Sequence, residues 1–269
     1  MAVNAIDGIR VGIGGWTYAP WRDNFYPAGW VQRRELEYAS RHLSAIEING
    51  TYYRAQKPAI YAQWRDETPD GFVFSAKAPM RITMARKLAT VGGQVDDFVG
   101  GIVTLREKLG PLVWQFDEDR RIDPDDFATF CTLLPNKHGA TTLRHVLDVR
   151  DREFVNADFV ALARQHGFAT VYTDSPDHPS FADLSADFVY ARLMRSRADV
   201  ASGYPPVELA QWARRARLWA AGGEPDDLPR LAGATPPAAS REVFLYFISA
   251  AKARNPAAAM ALQGLLSQG

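Results

Sequence analysis

One cysteine, five histidines and no surplus of either charge stand in this 269-residue sequence, and each scarcity excludes something. The lone Cys131 excludes an intramolecular disulfide and a cysteine-rich zinc site. It lies in the apolar run Phe127–Leu134 and reads as a small core residue on a helix. The histidines (His42, His138, His145, His166, His178) show no H-E-x-x-H or other metal-ligand spacing, so no metal is expected. Only His178, after the sixth predicted strand, is placed for function. Lys plus Arg and Asp plus Glu both number 31, which argues against a general polyanion binder and leaves room for a local basic groove. No stretch approaches the ~18 continuous apolar residues of a membrane span. Met1–Arg10 lacks the basic start and apolar run of an export signal, so the expected location is the cytoplasm. Gly12-Ile-Gly14-Gly15-Trp16 lacks the third glycine of a dinucleotide fingerprint, and there is no Walker motif or G-x-S-x-G elbow. No cofactor is expected.

What is present is alternation. Eight short runs of β-formers recur between helical patterns: Ile9–Gly14, Ala45–Asn49, Phe72–Lys77, Leu112–Phe116, His145–Arg150, Thr170–Asp174, Phe188–Met194 and Val243–Ser249. Strand–helix alternation implies parallel strands with crossover helices, and the length suits a barrel of about 250 residues. The fold predicted is α/β, one (β/α)8 TIM-like barrel domain over residues 1–269. Local signals support the helices. Asp123-Pro124 caps and opens one, Asn156 caps the next, which ends at Gly167, and Pro58 and Pro206 open two more. Val95–Leu109 is periodic despite Gly100-Gly101. The sixth helix is expected to be reduced, because Asp177–Ala186 is short and broken by proline. Residues 222–240, rich in Gly, Pro and Ala, read as a flexible loop inside the domain.

Strand side chains alternate, and in a closed barrel one face meets the helices while the other meets the axis. Turning Ile46 and Ile48 outward leaves Glu47 and Asn49 inside. The same test places Ser75, Lys77, Gln115, Asp148, Arg150, Asp174 and Arg192 inside, and on the last strand Leu245, Phe247 and Ser249. The polar members sit late in their strands, at the C-terminal mouth where barrel active sites are built. Trp16, Tyr18, Trp21, Phe25, Tyr26 and Trp30 form an aromatic stretch that either stacks on a ligand or plugs the barrel edge. Tyr53 and Arg54 follow the second strand, and Arg81 follows the third.

These residues resemble the YecE-like proteins, the family of domain of unknown function 72. The matches run in order through nearly the whole chain: Gly14-Gly15-Trp16-Thr17-Tyr18, Phe25-Tyr26-Pro27, the segment Glu47 to Arg54, Phe72 to Pro79 and Ile82-Thr83. Gly110 to Gln115, Val149-Arg150, Asp174-Ser175 and Tyr190 to Leu193 continue the series. The resemblance implies a TIM-like barrel with a site at these positions and names no reaction. The family pattern carries histidines where this chain has Met84, Asp151 and Met194, so histidine-based or metal chemistry is not expected here.

The function expected is an enzyme on a small anionic substrate, phosphorylated or carboxylated and possibly sugar-like. Lys77, Arg150 and Arg192 would bind the anion and stabilise developing negative charge, and Glu47, Asp148 or Asp174 would act as general acid or base. Glu47, Lys77, Asp148 and Asp174 are thus the candidate catalytic residues. Trp16, Asn49, Tyr53, Arg54, Gln115, Arg150 and Arg192 are the candidate binding residues. Two alternatives stand beside this. One is a nucleic-acid-binding or processing protein that uses the aromatic stretch with Arg54, Arg81, Arg86 and Lys87. The other is a barrel that binds a ligand without catalysis.

Overall fold

The computed structural model describes residues 4–22, 24–233 and 239–268. Eight strands close into an all-parallel barrel: β1 (Ile9–Gly14), β2 (Ala45–Ile48), β3 (Val73–Lys77), β4 (Leu109–Phe116), β5 (His145–Val149), β6 (Ala169–Asp174), β7 (Phe188–Leu193) and β8 (Glu242–Phe247). Each strand pairs with its neighbours in the chain, and β8 returns to β1 with Val11 opposite Leu245. Every expected strand is present, with ends shifted by up to three residues.

Helices α1 (Glu35–His42), α2 (Pro58–Glu67), α3 (Gly92–Ile102), α4 (Pro124–Leu133), α5 (Ala157–His166), α6 (Pro206–Ala220) and α7 (Asn255–Leu266) flank the barrel. The predicted caps form. The Asp123 carboxylate accepts from Asp126 N, Asn156 Oδ1 accepts from Asp158 N and Phe159 N, and Gly167 ends α5 at φ 67°. The periodic segment Val95–Leu109 is not one helix, because α3 stops at Ile102 and the chain turns through Arg106 at φ 54°. None of these helices is long and apolar enough to cross a membrane.

The reduced sixth helix is reduced to nothing: residues 175–187 carry no helical turn. Phe181, Ala182 and Leu184 bury themselves there instead. This segment in turn holds the loop before β8. Ala182 N donates to Pro229 O, and the buried Asp183 carboxylate accepts from Leu231 N and Ala232 N. The expected flexible loop over 222–240 therefore has an anchored described part, while residues 234–238 lie outside the described residues.

The barrel axis is filled by Ala45, Val73, Val113, Val146, Ala169, Val171, Phe188, Tyr190, Phe244 and Tyr246. Gly12 makes room for this filling, since a Cβ there would stand 2.2 Å from Ala45 O and 3.0 Å from the Tyr246 ring. Two strands face opposite to expectation. On β6, Val171 points to the axis and Tyr172 joins the helix layer beside Trp212 and Trp219. On β8, Phe244 and Tyr246 point inward, while Leu245 and Phe247 pack against helices. Outside the barrel, Trp114 Nε1 donates to His145 Nδ1 at 3.0 Å and His145 Nε2 lies 2.9 Å from Pro135 O. That fixes His145 as the neutral Nε2–H tautomer, and burial pushes its pKa down to about 4. Burial likewise pushes the Cys131 thiol up to about 12, which leaves it an inert core residue.

Asp183 holds two loop amides and is 3% exposed. Replacing it with Ala strands both donors, so Asp183→Ala should lower stability by about 2 kcal/mol in urea unfolding, within the range for a lost charged acceptor.

Candidate active site

The mouth is organised by one guanidinium. Arg192, near the end of β7 and 2% exposed, donates from Nε to Glu47 Oε2 at 2.9 Å, and from Nη1 to Asp148 Oδ2 at 2.5 Å and Gln115 Oε1 at 3.2 Å. It thus joins β2, β5 and β4 across the axis. Tyr190 OH donates to the same Glu47 oxygen at 2.5 Å, and Ser75 Oγ lies 2.6 Å from Tyr246 OH one layer below. Burial disfavours the charge on Arg192, but Glu47 and Asp148 outweigh it and raise its pKa. Burial also pushes Asp148 upward, yet Arg150, Arg192 and Lys77 together hold it below the usual carboxylate range.

A second tier sits above. Arg150 Nη2 donates to Gln115 Oε1 at 3.1 Å and lies 3.4 Å from Asp148 Oδ2. Gln115 Nε2 donates to Asp117 at 2.6 Å, and Tyr52 OH donates to the other Asp117 oxygen at 2.5 Å. Lys77 Nζ stands 4.1 Å from the centre of the Tyr52 ring. Burial, with Arg192 nearby, lowers its pKa to about 8.

These groups surround a cavity of about 420 Å³ whose wall includes Glu47, Asn49, Tyr53, Lys77, Gln115, Arg150 and Arg192. Seven of the eleven sequence candidates therefore line one space, and Asp148 stands just behind. Three do not. Asp174 shares the outward face of β6 with Tyr172 and pairs with Arg195 at 2.7 Å; burial raises its pKa. Trp16 packs edge-on against Trp64 at 5.0 Å and Phe74 at 6.2 Å. Arg54 is exposed beyond the rim. The aromatic stretch is a plug: Trp21, Phe25 and Tyr26 are buried, Phe25 and Tyr26 pack on Tyr38 of α1, and Trp30 does the same. Arg81, in the short helix Met80–Thr83 after β3, and Arg86 and Lys87 beyond it are exposed. Gly14 serves a neighbouring side chain, because a Cβ there would stand 2.7 Å from Asn49 Nδ2.

Sequence reading missed Tyr52, Asp117, Lys252 and Asn255. Lys252 and Asn255 line the cavity from the segment after β8. The signal that could have found them is the frequent use of the last two loops of a barrel for phosphate binding. Ser249 also lines the cavity, carried there by backbone at φ 58° rather than by strand alternation.

A family profile described as "Protein of unknown function DUF72" matches residues 10–269. The chain belongs to the DUF72 family. It is similar to the UPF0759 protein YecE of Escherichia coli strain K12, with 29% identity over 108 residues. That alignment covers 40% of this chain and only 36% of YecE's length. In structure it is similar to a DUF72 family protein of Thermotoga maritima MSB8, with TM-score 0.72, 17% identity, and coverage of 96% of this chain and 99% of the other. A DUF72 family protein of Enterococcus faecalis V583 gives TM-score 0.69 at 14% identity, covering 96% and 95%. At such identities the likeness shows the fold alone. Met194 lines the cavity of this DUF72 barrel. Asp151 is buried and accepts from Ile122 N and Glu153 N, and Met84 is 53% exposed.

The network separates two kinds of carboxylate. Glu47→Gln removes one of the two counter-charges of a desolvated guanidinium and should cost roughly 3 kcal/mol in urea unfolding. Asp174→Asn breaks a pair whose arginine is half exposed and should cost less than about 1 kcal/mol. Because the folded-state pKa of Asp148 is depressed, its contribution is complete above the unfolded carboxylate range near ~4. It is lost as pH falls through the lower folded value.

Proposed function

We propose that this chain is an enzyme acting on a small anionic substrate, phosphorylated or carboxylated and sugar-like in size, at the C-terminal mouth of the barrel. The observation that supports this reading is the charge on the cavity wall. Lys77, Arg150, Arg192 and Lys252 face the space with Glu47 as the carboxylate among the lining residues. Counting Asp148 and Asp117 behind the wall, four cations still meet three carboxylates. The whole chain has no net charge, so the excess is local. Gathering cations in a concave, low-dielectric site is unfavourable unless an anion completes it, and such a cleft focuses its field on an incoming anion.

The buried polar atoms point the same way. A self-contained salt-bridge plug satisfies its own members, whereas Glu47 Oε1 and Arg150 Nε are buried with no hydrogen-bond partner among the described residues. In this reading Arg150 and Arg192 hold the anion through the fork geometry that suits carboxylate and phosphate. In the same reading Glu47 Oε1 and Lys77 move protons. Asp148, engaged by Arg192, orients the arginine.

Calorimetric titration with oxalate, inorganic phosphate and glycerol 3-phosphate should show binding, with neutral glycerol silent. Arg150→Gln should weaken anion binding at least tenfold, the equivalent of ~1.4 kcal/mol and the lower limit for a lost charge-assisted bond. Lys77 is cationic below its pKa of about 8. Affinity for oxalate, whose charge is constant over this range, should therefore fall as pH rises from 7 to 9, and Lys77→Met should remove most of that dependence. No anion binding, or glycerol binding as well as glycerol 3-phosphate, would sink the reading.

A further inference from the structure

Lys77 is placed unlike the arginines around it. Its Nζ meets the face of Tyr52 at 4.1 Å and forms no ion pair among the described residues. The carboxylates nearby are engaged elsewhere. Glu47 Oε2 takes Arg192 and Tyr190, Asp148 takes Arg192 and Arg150, and Asp117 takes Gln115 and Tyr52. The charged groups that act on Lys77 are Glu47 on β2, Asp148 on β5, Arg150 just after β5 and Arg192 on β7. The lysine backbone is fixed as well, since Lys77 O accepts from Thr51 Oγ1 at 2.7 Å and Ala78 N donates to Val113 O at 2.8 Å. A rigidly mounted amine therefore faces a cavity, with cations in place to hold an anion and a buried carboxylate oxygen, Glu47 Oε1, left unpartnered on the same wall.

We infer that Lys77 forms an imine with the substrate, and that the substrate is a small oxo compound, an aldehyde or ketone, that also carries a carboxylate or phosphate. The inference rests on the reading of the mouth as an anion site and names the second group the substrate must bear. Arg150 and Arg192 hold the anion and turn the carbonyl carbon toward Nζ. Glu47 Oε1 takes a proton from the ammonium, and the neutral amine attacks. A C–N bond forms, the carbonyl oxygen takes a proton from the nitrogen, and a carbinolamine results. Glu47 returns its proton to the carbinolamine hydroxyl, the C–O bond breaks and water leaves. The product is a protonated imine on Lys77. Overall, ammonium and carbonyl give iminium and water, with no oxidant or reductant. An ordinary lysine is neutral in about one molecule in 2,500 at pH 7, whereas an amine titrating near pH 8 is neutral in about one in eleven.

Borohydride trapping tests this. The full-length protein at pH 7 is incubated with glyoxylate or pyruvate, reduced, digested and mapped by mass spectrometry, with acetaldehyde as a carbonyl lacking an anion. A carboxymethyl or carboxyethyl group should appear on Lys77 at more than ten times the level on any exposed lysine. Acetaldehyde should show no such preference for Lys77. Lys77→Arg, which keeps the charge and cannot form the imine, should give no adduct at position 77 while unfolding cooperatively on heating. Oxalate, an anion without an aldehyde or ketone, separates the two ideas. Oxalate binding without any Lys77 adduct overturns the imine and leaves the anion site standing. Absence of both overturns both.

Discussion

The guanidinium of Arg192 is the interaction on which the mouth depends. An arginine this deeply buried cannot shed its proton, so its surroundings must supply compensation, and they do so with Glu47 from β2 and Asp148 from β5. The fork of N–H donors lets one side chain engage two carboxylates and the Gln115 amide at once. This has a consequence for Lys77. A single ammonium cannot match that geometry, so the arginines take the carboxylates and the lysine is left against the Tyr52 ring. The lowered lysine pKa is thus a by-product of the arginine's hold on its neighbours, added to burial.

Below the ionic tier, packing sets where that tier can stand. The axis is narrow on the β1 side, where glycines occupy the inward positions, and bulky on the β7–β8 side, where Tyr190 and Tyr246 enter. The two tyrosines stack in a tilted pair with ring centres 5.1 Å apart. Each directs its hydroxyl at a polar inward residue, Tyr190 at Glu47 and Tyr246 at Ser75. The aromatic filling therefore both completes the core and orients Glu47, so a change in the core layer would be transmitted to the carboxylate above it. The plug of Trp21, Phe25 and Tyr26 plays a parallel part outside: Trp21 Nε1 donates to Lys252 O at 2.9 Å and so fixes the segment that carries Lys252 to the cavity.

Strand alternation located most of this mouth because β2, β3, β4, β5 and β7 each carry apolar residues on one face and at least one polar residue on the other. The contrast fails on β6 and β8 for different reasons. On β6, Tyr172 and Asp174 share a face, and the polar Asp174 suggests the axis, but the axis there accepts only the smaller Val171 and sends Tyr172 to the tryptophans of α6. On β8, Phe244, Leu245, Tyr246 and Phe247 are all buried, so the sequence carries no contrast to read; the decision is made on the neighbouring strand, by the room at Gly12, the partner of Tyr246. Tyr52, Asp117, Lys252 and Asn255 lie past their strand ends, where a period of two no longer applies and the loop conformation decides what reaches the cavity. The missing sixth helix follows similar logic, because residues 181–185 are buried without a break, which one face of a helix would not give.

The side chains around the mouth decide which groups can titrate near neutrality. Met194 puts a thioether, which carries no proton, into the cavity wall. Asp151 is committed to loop amides, and burial and Arg150 lower the pKa of His178. Asp148 is held ionised by its cations. Among the lining residues, burial moves Lys77 and Lys252 toward neutrality. Lys77 alone of the two stands within the reach of the Arg192 network, and Lys252 sits at the rim over Tyr18. Titration near physiological pH therefore falls to Lys77, whose pKa lies at about 8. An amine, unlike an imidazole, can become a stable covalent partner of a carbonyl carbon.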